Sequence, residues 1–321
     1  MRFIFDSEFD VDVVHVVWTA PLFLQAGYTR WGTLNKILSV VRGAILVLNA
    51  YALRGLGVRL VWTVHNEHNH EREHLAINLA VNRQFAAACD ALTVECERAR
   101  SIVCDSFDVA ETKVTVIPEG NYIDAYPNDV SRAEARERLG LPSDATVVVN
   151  FGRIRPYKGV ARLVDAYRTV RTSDSHLLIA GSPLNEEIRR DVLRRTETEP
   201  DVTTDLRFVP NDEVQLYMNA ADIVALPYRD ILTSGSALLA ASFGRPVVAP
   251  TMGCVPAVVR GHDGLLYDPD GPDGLEDALR DGLESDDLNA VGAANRRRAE
   301  SLSWTAVAEQ TAELYDVVTQ V

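Results

Sequence analysis

Asn150-Phe-Gly-Arg-Ile-Arg-Pro-Tyr-Lys-Gly159 decides the architecture. The apolar, β-branched run Thr146–Phe151 reads as a buried strand that stops at Gly152, where a missing side chain lets backbone approach a ligand closely. Arg153 and Lys158 follow at the mouth of a helix that runs toward Tyr167. Helix N-termini already carry partial positive charge and open N–H groups, so two further cations there are unfavourable unless an anion neutralises them. Strand, glycine, cations and helix together predict a phosphate-binding unit of a parallel sheet. Lys158 is also one of only three lysines, with Lys36 and Lys113, among 32 basic residues.

Apolar runs alternate with helical patterns on both sides of this stretch, the mark of parallel α/β sheets. Downstream, residues 176–180, 206–209, 223–226 and 246–250 read as strands. Upstream, strands are expected at 11–18, 58–64, 91–94 and 114–117, with helices at 30–54 and 72–89. Residues 122–130, with Pro127, Asn128 and Asp129, read as a linker. Ser131-Arg-Ala-Glu134 is a capping box that opens a short helix ended by Gly140 and Pro142. The last helix, 303–318, is amphipathic through Trp304, Val307, Leu314 and Val318. The expected fold is α/β, with two Rossmann-like doubly wound domains. They span residues 1–130 and 131–302, followed by a helix at 303–321 that crosses back to the first domain, with a ligand crevice between the two halves.

A second signal is Leu226-Pro-Tyr-Arg-Asp-Ile-Leu-Thr-Ser-Gly-Ser236, where a strand ends and small polar residues open a helix. Backbone N–H groups at Thr233, Ser234, Gly235 and Ser236 would cradle a diphosphate, and the same residues would serve as an ordinary N-cap. His70-Glu-Arg-Glu-His74 satisfies H-E-x-x-H. On a helix it would bind zinc through His70 and His74 with Glu71 as base. The segment follows a strand end, where a loop is expected, and no third ligand is identifiable. Asp10-Val-Asp12 and Asp268-Pro-Asp270 are coincidences of an aspartate-rich chain, and no metal is expected.

The net charge of −14 argues against nucleic acid as a partner, because an acidic surface repels the phosphate backbone. Twenty-six aspartates and 20 glutamates against three lysines suit solubility in concentrated salt, which predicts a halophilic source. Four cysteines without C-x-x-C spacing give no Cys-rich zinc site and point to a reducing compartment. The apolar stretch 37–56 is interrupted by Arg42 and Arg54, so it reads as a core or interfacial helix rather than a span. Peripheral contact with a cytoplasmic membrane face through this helix, around a lipid-linked sugar, is a further expectation; the chain is otherwise expected to be cytoplasmic.

Gly152-Arg153 with Lys158-Gly159, Leu178-Ile-Ala-Gly181, Arg207-Phe-Val-Pro210 with Asp212-Glu213, Ala220-Ala-Asp222 with Pro227, and Gly244-Arg-Pro-Val-Val248 occur in a characteristic order. Together they resemble the C-terminal half of family 4 glycosyltransferases of the GT-B fold, also called glycosyl transferases group 1. Trp62-Thr-Val-His-Asn66 is similar to that family's acceptor-domain histidine loop, and Val116-Ile-Pro-Glu-Gly-Asn121 to its interdomain segment. Trp304 matches its returning helix.

The resemblance implies a metal-independent, retaining transfer of sugar from a UDP- or GDP-sugar to a hydroxyl of a glycan, polysaccharide or lipid-linked acceptor, with no cofactor beyond that donor. Arg153 and Lys158 match the pair that stabilises the departing diphosphate, and His65 the histidine near the reacting sugar. Gly152 and the start of the helix at Thr233–Ser236 would add to the donor site. The family's two glutamates, eight positions apart, fall on Ile231 and Leu239, with Asp230 one residue away as a substitute for the first. Ala257 stands where an acid is common. The family's first strand would precede Val11, so the first domain reads as trimmed at its start. A non-catalytic subunit that binds nucleotide sugar or a partner enzyme, and a sugar-nucleotide epimerase, are the alternatives.

Overall fold

The computed structural model describes residues 11–23, 32–68, 74–259 and 265–320. They form two compact units, residues 1–119 together with 304–321, and residues 120–303.

Among the described residues of the first unit, four parallel strands lie in chain order: β1 (Val13–Val16), β2 (Arg59–Thr63), β3 (Ala91–Val94) and β4 (Val114–Val116). Every residue of β3 is buried, as an inner strand covered on both faces requires. Helices α1 (Ala20–Phe23), α2 (Gly32–Gly55), α3 (Leu75–Ala88) and α4 (Glu97–Phe107) connect the strands. α2 packs along α3 so closely that a methyl group on Gly43 would run into Val81. The last helix, Trp304–Thr319, returns to this unit and buries Leu314 and Val318 against Val61, Ala91 and Ile117. Trp304, expected on the packed face, is 55% exposed at the helix start, and the packing comes from the later turns.

The described residues of the second unit carry six parallel strands: β5 (Thr146–Phe151), β6 (Ser175–Ala180), β7 (Val202–Asp205), β8 (Ile223–Ala225), β9 (Val247–Pro250) and β10 (Leu266–Tyr267). Their order across the sheet is β10-β9-β8-β5-β6-β7, the doubly wound order in which the chain starts at the centre, runs to one edge and returns to build the other. The strand expected at 206–209 lies four residues earlier. Val202–Asp205 is the edge strand, half-buried along its whole length, so it lacks the apolar run that marks inner strands. The two-residue β10 at the opposite edge left no readable pattern.

Residues 122–130, expected to be a linker, are tied onto this unit. Asn121 Nδ2 donates to the carbonyls of Ala299 and Leu302 at 3.0 and 2.9 Å. Tyr122 N donates to Ser242 Oγ at 3.0 Å, and Gln215 Oε1 accepts from the amides of Asp129 and Val130. The capping box forms as expected, with Ser131 Oγ accepting from Glu134 N at 3.2 Å and Gly140 closing α5 (Arg132–Leu139) at φ 64°. Inside that helix Arg136 is 2% exposed. It donates to the carbonyls of Ser143 and Ala145, each at 2.8 Å, and to Asp222 at 2.5 Å. Asp222 also accepts from Val147 N at 2.7 Å, so this acid joins α5 to the starts of β5 and β8.

Candidate active site

The first strand of a doubly wound sheet and the strand that reverses the winding are neighbours, and their connections leave to opposite faces. A crevice opens at their carboxyl ends. Here those strands are β5 and β8. Buried Asn150 fastens them where they diverge, its Nδ2 donating to Ala225 O at 2.8 Å. The crevice floor is glycine for steric reasons. Gly152 has φ 118° and Gly181 φ 137°, and a Cβ on Gly181 would collide with the Gly152 carbonyl. Gly159, at φ 70°, starts α6 (Val160–Val170) directly against the Pro227 carbonyl, which locks the loop after β5 onto the loop after β8.

Lys158 closes the loop. Its Nζ donates to Ser236 Oγ at 3.2 Å and lies 6.0 Å from the centre of the Tyr228 ring. A Cβ built on Gly152 would stand 3.1 Å from that Nζ and 3.4 Å from Ser236 Oγ, so ammonium, hydroxyl and bare backbone converge on one point. Burial, with the charges of Arg155 and Arg153, pushes the ammonium down from its usual 10.5 to about 8. An arriving anion offsets these influences with its own charge, so the cluster favours a negatively charged ligand. Ser236 lies in the first turn of α7 (Gly235–Ser242). Ser234 is the cap of that helix, accepting from Ala237 N at 3.1 Å, while Tyr228 Oη shares a 2.7 Å hydrogen bond with its Oγ. The cap and cradle readings of residues 233–236 therefore divide between two serines: Ser234 caps and Ser236 meets the lysine. A Cβ on Gly235 would stand 3.2 Å from Tyr122 Oη, which places that phenol beside the helix start.

Arg153 is exposed in the same loop, near enough for its charge to act on Lys158. Thr233 is half-buried just before the cap, and Asp230 half-buried in the bend that precedes it. Leu239, at one glutamate position, is buried in the core of the unit, and Ile231, at the other, packs against that core. Tyr228 and Tyr122 were not singled out from the sequence. An aromatic inside the quoted stretch 226–236 was the available signal for Tyr228, and Tyr122 had none.

His65 stands in the first unit, two residues beyond β2. Its Nδ1 lies 3.0 Å from Glu95 Oε1, one residue beyond β3, and its ring stacks on Trp18 with centroids 4.9 Å apart at 21°. A carboxylate can only accept, so Nδ1 carries the proton and the orientation of the ring is fixed. Trp18 and Glu95 belong to this cluster although neither was signalled by sequence. Beside them, His15 bridges Tyr315 Oη at 2.6 Å and Thr63 Oγ1 at 2.7 Å, and burial with the adjacent His65 holds its pKa down. Of the H-E-x-x-H motif, His70 and Glu71 lie outside the described residues. His74 is left-handed at φ 51° and precedes the first turn of α3, so the helical condition for that zinc site fails at its second histidine. Among the described residues no cluster of three or more His, Cys, Asp or Glu could hold a metal ion. Asp268 and Asp270 make a local turn instead, Asp270 N donating to Asp268 Oδ1 at 3.0 Å.

Solved structures share this architecture. Sucrose-phosphate synthase from Thermosynechococcus elongatus superposes with a TM-score of 0.74 at 20% identity, over 96% of this chain and 73% of that one. Anabaena HepE in complex with UDP superposes with a TM-score of 0.73 at 20% identity, over 86% of this chain and 77% of that one. Two parallel α/β units with these structural neighbours define the GT-B class of folds. Residues 145–285 match the family described as Glycosyl transferases group 1. A D-inositol 3-phosphate glycosyltransferase of Corynebacterium glutamicum is 30% identical over 245 residues, 73% of this chain and 59% of that protein. The chain thus spans less than two thirds of the length of this relative.

Proposed function

We propose that the chain transfers a sugar, with retention and without metal, from a UDP- or GDP-sugar to a hydroxyl acceptor of glycan or lipid-linked type. The observation that carries this reading is the convergence of Lys158 Nζ, Ser236 Oγ and the bare backbone of Gly152 at the switch point of the second unit. A buried ammonium with a depressed pKa gains most when charge accumulates on a departing diphosphate, so it lowers the barrier as well as binding the donor. Arg153 supplies a second charge from the same loop. The UDP and UDP-glucose complexes of Anabaena HepE support a nucleotide-sugar donor for this fold. His65, oriented by Glu95, takes the acceptor side in this reading. A panel of nucleoside diphosphates in a thermal-shift assay tests donor binding, since a ligand that binds only the native state raises its melting point. Release of nucleoside diphosphate in the presence of candidate acceptors tests transfer.

One observation favours a second reading. Leu239 fills the core where the family has a glutamate, so no carboxylate can hold the donor's hydroxyls from that position. A nucleotide-sugar-binding subunit without transferase activity fits that substitution. Binding without turnover at any acceptor would establish it.

A further inference from the structure

The helix α2 presents its faces in reverse of a water-soluble helix. Its inner side, against α3, carries small residues: Ser39 is 2% exposed and Ala50 1%, with Gly43 between them. The large apolar side chains point outward, with Ile45 52% and Leu48 67% exposed, and Val41 and Ile37 continue the same stripe one and two turns earlier. A soluble fold would bury the large residues and expose polar ones, so an outward stripe of this length marks a surface that meets something apolar.

Charge identifies the occupant. From Val13 to Asn66 the sequence contains no aspartate or glutamate, in a chain that has 46, yet it holds Arg30, Lys36, Arg42, Arg54 and Arg59. The basic residues on α2 border the apolar stripe. Lys36 and Arg54 are about five turns of 3.6 residues apart and share one edge, and Arg42 stands on the other edge. All three are exposed. An apolar stripe with cations on both borders is the pattern that lies in a bilayer interface, acyl chains under the stripe and phosphates at its rims. A second copy of the chain would bring Lys36, Arg42 and Arg54 against the same three cations, which those charges oppose. The helix is long and apolar enough to cross a membrane by length and composition. Ser39, Gly43, Ala50 and Leu53, however, are committed to the fold, so only one face is available and the helix lies flat.

We propose that α2 is a peripheral docking face for an anionic lipid surface. This goes beyond the transferase reading and does not rest on it, since vesicle binding is measured without donor or acceptor. The full chain is floated with vesicles of phosphatidylcholine and phosphatidylglycerol in equal parts, and with phosphatidylcholine alone. The expected result is co-flotation with the anionic vesicles that weakens as salt is raised, and much weaker flotation with the neutral ones. The double variant Ile45→Gln/Leu48→Gln, exposed at both sites, should partition about tenfold less or worse with an unchanged melting temperature. Arg42→Glu should lower partitioning to anionic vesicles by about fivefold or more. Absence of flotation, or flotation indifferent to both variants, overturns the proposal. A wild-type dimer that the double variant makes monomeric, with no vesicle binding, overturns it in favour of self-association. Resistance to alkaline carbonate extraction overturns it in favour of a spanning helix.

Discussion

Lys158 Nζ donates to Ser236 Oγ at 3.2 Å, joining the turn after the central strand to the first turn of the helix that follows the reversing strand. One side chain thus spans the switch point, and a ligand that displaces the serine contact inherits a preoriented ammonium. Lys158→Ala is expected to slow sugar transfer by about 1.5–3 kcal/mol, roughly ten- to hundredfold, the worth of a charge-assisted hydrogen bond. The thermal shift given by nucleoside diphosphates should disappear with it. An unchanged rate would remove Lys158 from the chemistry.

The depressed lysine makes a pH signature. Its folded pKa of about 8 lies below the usual 10.5, so between those values the unfolded chain binds more protons than the folded one. Stability of the ligand-free protein therefore carries a penalty below pH 8 that is relieved as the pH rises through the window between the two values. A bound diphosphate requires the ammonium and raises its pKa, which reverses the trend. The diphosphate-induced rise in melting temperature should be large at neutral pH and shrink at alkaline pH. Equal shifts at both would show that the charge of Lys158 is not used.

Gly181 tests the floor of the crevice. At φ 137°, with its Cβ position occupied by the Gly152 carbonyl, Gly181→Ala forces the two loops apart. A loss of about 1–3 kcal/mol or more in urea unfolding is expected, together with weaker diphosphate binding. Wild-type stability would mean that the two loops can move without strain.

The Arg136–Asp222 pair separates buried from exposed ionic contacts on a single carboxylate. Asp222→Ala leaves a 2% exposed guanidinium without its carboxylate and should cost about 3–5 kcal/mol. Arg132→Ala removes the other partner, which is 54% exposed, and should cost under about 1 kcal/mol. Similar midpoints for the two variants in denaturant would contradict this division.

Inner strands were legible because burial on both faces forces unbroken apolar runs: Thr146–Phe151 and Ala91–Val94 fall where the pattern placed them. The edge strand Val202–Asp205 was misplaced because half-burial leaves Val-Thr-Thr-Asp without that run. At the site, Gly152 and Lys158 were legible because residue type states their use: a glycine where backbone must be bare, a cation at a helix mouth. Tyr228 and Glu95 were not, since neither residue type states its use. Glu95 meets His65 only because β2 and β3 align Thr63 with Thr93. The apolar stretch 37–56 read as a core or interfacial helix, and the sequence was silent on which side the fold would cover.

The topology also orders events in time. Residues 120–303 close on themselves, whereas the first unit is assembled from 1–119 and from a helix that begins at Trp304. A ribosome finishes the inserted body before it has made the segment that seals its host. Between those moments Val61, Ala91 and Ile117 wait for Leu314 and Val318, so the first-made segment of the polypeptide is the last to mature.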